Sequence, residues 1–403
     1  MNDQPLPSDL VLGGNAHPHN GGLGHAVILG GISAVRQGLD HADEHRRKLA
    51  LGQAINYGVP GLNLVIQALG DKSRLVQKTA YNLLKNRREH KCQQAIATYN
   101  PYGLFECVQT LKTSSVLAIS KDGKAIATRQ AYGRVKVWSI DEREVLYELP
   151  PISNSLGVVA LGEEGRQVVR SLSVTRSGTA SRLELWRDGE LVSELVGHSD
   201  KVSAICFSHD GSVVATGSHD CSIKLWDTNR GKLVCTFSSQ LISRSHRGSV
   251  VALSFSPNDR LLYSGGHDMM IKVWDWERRQ GQTLVPKTNA VAQLAVGRDR
   301  LVSLGYGREI QVWQAQDGKF ERSLEGHTAP INEIALSPNQ QVLASVSNDH
   351  TLRFWQLETG DNFYTPSRNN HDQHIHQVAF SADGQRLITT GANQVLKVWA
   401  VPS

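Results

Sequence analysis

Residues 217–227 read "GSHDCSIKLWD", placing Ser218, His219, Asp220 and Cys221 side by side. A nucleophile, a base, an acid and a soft metal ligand within four residues invite an active-site reading. Catalytic triads and metal sites, however, are defined by geometry in space, not by adjacency in sequence. The end of the stretch, "IKLW", decides more. Its pattern of apolar, polar, apolar, Trp occurs in seven copies: "VKVW" ending at Trp138, "LELW" at Trp186, "IKLW" at Trp226, "IKVW" at Trp274, "IQVW" at Trp313, "LRFW" at Trp355 and "LKVW" at Trp399. The tryptophans are 48, 40, 48, 39, 42 and 44 residues apart. Alternation with period two marks a strand buried on one face. Eighteen residues before the Trp, five copies carry a turn: "SKDG" at 120, "SHDG" at 208, "SPND" at 256, "SPNQ" at 337 and "SADG" at 381. Asn, Asp or Gly there suits a hairpin with positive φ. Each repeat therefore reads as strand, hairpin, strand, turn, Trp-bearing strand and one further strand. Four strands at that period predict an all-β, seven-bladed propeller.

Gly197-His198 leads to Trp226-Asp227, and Trp274-Asp275 repeats the closing dipeptide. A His stands 28 residues before the Trp in four copies: His198/Trp226, His246/Trp274, His327/Trp355 and His371/Trp399. On these residues the chain resembles the WD40-repeat family. The resemblance implies that a blade is tied by a relay of His, Ser or Thr, Asp and Trp. The matching sets are His198, Thr216, Asp220, Trp226; His246, Ser264, Asp268, Trp274; and His327, Ser345, Asp349, Trp355. The last repeat offers His371, Thr389 and Trp399, with Asn393 where Asp is usual. The repeats ending at Trp138, Trp186 and Trp313 lack the His and Asp, so packing alone supports them. Asp220 then reads as a structural partner of His198, because a half-buried carboxylate and imidazole are costly unless satisfied.

Only four residues follow Trp399, too few for a fourth strand, and a raw sheet edge is a liability. "LFECVQTLK" (104–112) matches the outer strands "KFERSLEGH" (319–327) and "ELVSELVGH" (190–198). Residues 104–111 are therefore expected to close the last blade of a propeller spanning 104–403. In front, 1–40 reads as a flexible arm rich in Gly, His and Asn, with "VLGG" (11–14) echoed by "ILGG" (28–31). Residues 41–98 read as helices. Gly58 and Pro60 mark a stop and a start, and Leu62, Val65, Ile66 and Leu69 follow at helical spacing. Gly70-Asp71 is expected to break that helix and cap the next, which buries Val76, Ala80, Leu83 and Leu84. "LVIQALGDKSRLVQKTAYNLL" (64–84) resembles a HEAT-type repeat, and "YNPYG" (99–103) reads as a hinge. The combination resembles WD-repeat proteins common in photosynthetic bacteria.

The chain has 403 residues, a net charge of +5 and five cysteines, at 92, 107, 206, 221 and 235, without a Cys-x-x-Cys pair. An odd, scattered set suits reduced thiols and a cytoplasmic address better than a disulfide framework. No sequence stretch approaches the about 18 uninterrupted apolar residues of a membrane span, and the glycine-broken "HAVILGGISAV" from His25 makes a poor signal peptide. Residues 41–98 hold ten Lys or Arg against four Asp or Glu, densest in "KNRREHK" (85–91). Such a run meets an acidic protein face or a nucleic-acid backbone, or is a solvated helix end where cations are favoured. It lacks aromatic residues, which argues against single-strand binding.

"HDQHIH" (371–376) looks like a metal cluster, but His371 has a relay post, and zinc wants more than His374 and His376. "NAHPHN" (16–21) is similar. No GxxxxGK[ST], GxSxG or HExxH motif occurs, and no cofactor is expected. In WD40 proteins the exposed top-rim residues lie three and five positions after the relay His and one before the relay Asp. That implies a rim of Lys201, Ser203, His219, Ser249, Val251, His267, Pro330, Asn332, Asn348, His374 and His376. Tyr306 and the loop "SVTRSGTAS" (173–181) rise on the same side. Solvated histidines titrate near neutral pH. The expectation is a non-enzymatic scaffold that binds protein through this rim, with the basic helices as a second contact. A metal- or pH-dependent binder or enzyme at the histidines, and nucleic-acid association through the helices, are the alternatives.

Overall fold

Each Trp-bearing segment forms a strand whose alternating side chains are buried. In Ile223–Asp227, Ile223, Leu225 and Trp226 are buried and Lys224 is half-buried. The computed structural model describes residues 31–152, 155–173, 181–238, 245–285, 291–366 and 373–402. Over Phe105–Ala400, a compact unit by itself, the strands build seven four-stranded antiparallel sheets, each in consecutive order except one. Blades 1 to 6 occupy 116–149, 155–195, 202–237, 250–285, 293–324 and 331–364. Blade 7 combines 375–400 with Glu106–Lys112, which lies outermost against Val395–Ala400. The architecture is a seven-bladed β-propeller.

The core lies between blades, and the tryptophans explain why. Trp226 packs with Val169, Leu183, Leu185 and Leu195 of the preceding blade. Trp274 stacks on Phe237 with ring centroids 4.5 Å apart. Trp186, Trp313 and Trp355 likewise join clusters shared with the preceding blade. A blade cannot bury its large face alone, so the stacked neighbours supply the apolar burial that stabilises each one.

The hairpins at one end follow a common chemistry. Ser120, Ser208, Ser256, Ser337 and Ser381 each donate to the Asp or Asn two residues on. The next position takes positive φ: Gly123, Gly211, Asp259, Gln340 and Gly384. Glycine fits there without cost, and Asp259 and Gln340 accept the strain because the serine–amide bonds fix the turn.

The helical unit contains α1 (Gly31–Leu39), α2 (Glu44–Ala54), α3 (Gly58–Gln67), α4 (Arg74–Leu84) and α5 (His90–Thr98). Residues 31–39, expected within the arm, are thus helical, since Val35 finds a buried site; the remainder of the arm, with "NAHPHN", lies outside the described residues. The run Glu44–Gly70 is long and apolar enough to cross a membrane by length and composition alone. It is broken, however, at Gly58, whose φ is +59°. Gly61 there sits so close to the Ala54 carbonyl that a Cβ would overlap it. Asp71 does not cap α4. Ser73 does, accepting from Leu75 N at 3.2 Å. Asp71 instead takes the buried Arg47 guanidinium through two 3.0 Å bonds. A buried arginine needs a fixed anion, and this one outcompetes the capping role. "KNRREHK" runs from the C-cap of α4 through a turn into the start of α5, and Arg87 donates to Leu83 O and pairs with Glu89.

Candidate protein-binding face of the propeller

Three relays are complete. In blade 3, Trp226 Nε1 donates to Thr216 Oγ1 at 2.9 Å, Thr216 Oγ1 lies 2.8 Å from His198 Nε2, and His198 Nδ1 lies 2.9 Å from Asp220 Oδ2. Blade 4 repeats this with Trp274, Ser264, His246 and Asp268 at 2.7, 2.7 and 2.9 Å. In blade 6, Trp355, Ser345, His327 and Asp349 are linked at 2.8, 2.7 and 2.8 Å. Because Trp supplies a proton to the hydroxyl, the hydroxyl has its own to give to Nε2, and Nδ1–H then faces the carboxylate. Burial pushes the His327 pKa down against the pull of Asp349, in keeping with that neutral form. Burial opposes ionisation of Asp349 too, but hydrogen bonds from Thr351 and His327 outweigh it and lower its pKa to about 2. Asp220 is shifted down by the same balance, with bonds from His198 and Ser222.

The hydroxyl two residues after the Asp was missed in the sequence. Ser222 and Thr351 each donate to the relay carboxylate at 2.6 Å. Blade 4 has Met270 there, and both Asp268 oxygens lie 2.9 Å from His246 instead. In blade 7, Thr389 accepts from Trp399 Nε1 at 2.9 Å, while His371 lies outside the described residues.

The three blades assigned on packing alone also carry tryptophan hydrogen bonds. Thr128 and Ser303 accept from Trp138 and Trp313 at 2.9 and 2.8 Å. In blade 2, Trp186 Nε1 donates to Glu184, which is paired with buried Arg170 at 2.7 Å. Arg170 pairs across the sheet with Glu184, where Thr216 faces Lys224 in blade 3. The six extra residues between Arg170 and its Trp, against ten between Thr216 and Trp226 being the norm, hid this equivalence: 16 separate Arg170 from Trp186.

Asp349→Ala should destabilise the fold by about 1–3 kcal/mol, because His327 and Thr351 lose a buried acceptor. Glu358→Ala, at an exposed turn position, should stay within about 0.5 kcal/mol. Urea midpoints of the two variants check this; equal shifts would deny Asp349 its role.

The relays fix which loops share an end. His198, in the entry loop of blade 3, reaches Asp220 in the turn between its second and third strands. The entry loop and that turn therefore lie together, and successive blades repeat the arrangement. Neighbouring turns are also joined: His267 Nε2 lies 3.0 Å from Tyr306 Oη, and His374 Nδ1 lies 2.8 Å from Asn348 O. His350, absent from the sequence-based rim, packs edge-on against His374 with ring centroids 5.1 Å apart. Lys201, His219, His267, Tyr306, Pro330, His374 and His376 are exposed at this end. Ser203 and Asn332 are not free rim groups. Ser203 donates to Val250 O, and Asn332 to Asn348 Oδ1 and Ile375 O, so both tie one blade to the next. Ser249, Val251 and Asn348 are half-buried, and 174–180 of the "SVTRSGTAS" loop lie outside the described residues. Partial desolvation and the neighbouring His374 push the His376 pKa down. Among the described residues no three His, Cys, Asp or Glu side chains are placed to hold a metal ion.

Seven four-stranded blades, three of them with complete Trp–hydroxyl–His–Asp relays, define a WD-type propeller. The chain belongs to the WD40-repeat family. The family model "WD domain, G-beta repeat" matches 189–227, 231–275, 318–356 and 364–400. An uncharacterized WD repeat-containing protein of Synechocystis is 30% identical over 244 residues, covering 59% of this chain and 67% of that protein. Periodic tryptophan protein 2 of Arabidopsis thaliana is 29% identical over 219 residues, 53% of this chain. Nuclear distribution protein nudF of Aspergillus flavus is 31% identical over 208 residues, 49% of this chain. The chain spans 23% of the former's length and 35% of the latter's.

Proposed function

We propose that this protein is a non-enzymatic scaffold whose relay-bearing propeller end docks a protein partner. The helical unit supplies a second contact, and the address is cytoplasmic, in keeping with five free thiols. The observation that carries the reading is the rim itself. Exposed His219, His267, Tyr306, His374 and His376 share one end, and hydrogen bonds between adjacent turns hold His267, Tyr306 and His374 in fixed places. A preorganised polar rim suits recognition, since little side-chain entropy is lost on docking. The relay hydrogen bonds occupy His198, His246, His327 and their aspartates, which leaves Asp220 no role as a catalytic acid.

The test replaces His267, His374 and His376 by Ala in the full chain and compares partner recovery from native extract at about pH 6 and pH 8, on either side of the usual imidazole pKa. Recovery and its pH dependence should both fall, with the melting temperature nearly unchanged. Undiminished recovery at both pH values would move the docking site to another surface.

A further inference from the structure

The charges of the propeller are balanced in number, but exposed carboxylates are scarce at the relay end. Residues 99–403 contain 32 Lys or Arg and 31 Asp or Glu. At the relay end, Lys112, Arg129, Arg134, Lys201, Arg247 and Arg308 are all exposed. None of these six forms an ion pair with a described residue; the ion pairs of the propeller lie within the relays, on strand faces or in the opposite turns. Acidic groups at the relay end are few or engaged. Glu325 is exposed; Asp200, half-buried beside Lys201, accepts from Lys201 N; Glu309 accepts from Ser323, and the relay aspartates are committed to histidines and backbone amides. The turns at the other end mix both signs, with Asp141, Asp210, Asp317 and Asp383 among Lys124, Arg230, Arg260, Arg298 and Lys319.

We propose that the relay end recognises an acidic segment of a protein partner, its carboxylates falling between the cations of successive blades. This rests on the docking reading above and names the chemistry of the partner. Uncompensated cations around one face raise the local anion concentration and steer association. A polypeptide fits better than a nucleic acid. Duplex DNA carries a charge about every 1.7 Å, which would set phosphates above Asp220, Asp268 and Asp349 as well as beside the cations. The cations are also spread over blades 1, 3, 4, 5 and 7 rather than aligned in a stripe.

The experiment uses the full chain and a fluorescein-labelled peptide of glutamates interspersed with leucines, followed by anisotropy at neutral pH. An oligothymidylate of equal charge serves as the competing polyanion. Three proteins are compared: wild type, the rim triple Arg134→Glu, Lys201→Glu, Arg247→Glu, and an opposite-end triple Arg230→Glu, Arg260→Glu, Arg298→Glu with the same change in net charge. The expected result is saturable peptide binding that weakens with salt, is lost by about tenfold or more (roughly 1.4 kcal/mol) in the rim triple, and is retained by the opposite-end triple. Gln replacements at the three rim positions, with melts matching wild type, should give an intermediate loss and guard against misfolding. Absent peptide binding, equal weakening in both triples, or tighter oligothymidylate binding through the same rim residues would each overturn the proposal. If the histidine triple still loses its partner while the rim triple keeps the peptide, the docking face stands and its acidic preference fails.

Discussion

Removing residues 1–113 is expected to leave a propeller that cannot close, whereas removing 1–97 should leave one that still unfolds cooperatively. The difference is the strand Glu106–Lys112, paired with Val395–Ala400 from Glu106↔Ala400 to Lys112↔Val395. Its neighbour Phe105 is fully buried and packs edge-on against Phe354 at 6.1 Å. Tyr364 Oη also donates to Phe105 O at 2.8 Å. The backbone bonds contribute about 1 kcal/mol each and Phe105 roughly 2–3 kcal/mol by burial. The total approaches the whole stability of a typical domain, about 5–15 kcal/mol, and the deletion also bares a long sheet edge. Circular dichroism melts and urea titrations of the two truncations decide the matter. Equal midpoints would show that ring closure does not depend on this strand.

Arg170→Thr should cost about 3–5 kcal/mol, the usual result of leaving one buried charge without its partner. Glu184 would keep its bond from Trp186 Nε1 but lose the guanidinium that also donates to Pro150 O and lies 5.1 Å over the indole ring. Adding Glu184→Lys recreates the arrangement of Thr216, Lys224 and Trp226 in blade 3, and should restore most of the loss. The coupling energy from the double-mutant cycle is the quantity to measure. A nearly silent Arg170→Thr, or a double variant worse than the single, would refute the equivalence of the two pairs.

The propeller was legible because its signals are local and repeated. Alternation around each Trp fixes a strand, and a turn 18 residues earlier fixes the blade's first hairpin. The relay sets at 198–226, 246–274 and 327–355 keep constant spacing, so the hydrogen bonds among them follow from position alone. The resemblance of 104–112 to the outer strands carried a non-local pairing, because equivalent strands face equivalent environments. The Arg170–Glu184–Trp186 set stayed hidden because the lengthened hairpin changed its spacing while leaving its cross-strand register intact. The capping role of Ser73 was missed because Asp71 is an equally good cap in isolation, and only tertiary packing brings Arg47 to claim it.

What the sequence determined by itself was the repeat and the fold, consequences of periodic burial and short-range turn chemistry, while the tying residues followed from the resemblance to the WD40-repeat family. Only the tertiary structure decided which rim groups remain available. Ser203 and Asn332 carry the same positional signal as Lys201, yet they bond across to the next blade. His350 carries no rim signal, yet it lies against His374. The scarcity of exposed carboxylates at the relay end was likewise invisible in a propeller of nearly neutral total charge, because adjacent turns along the chain open on opposite ends of a blade.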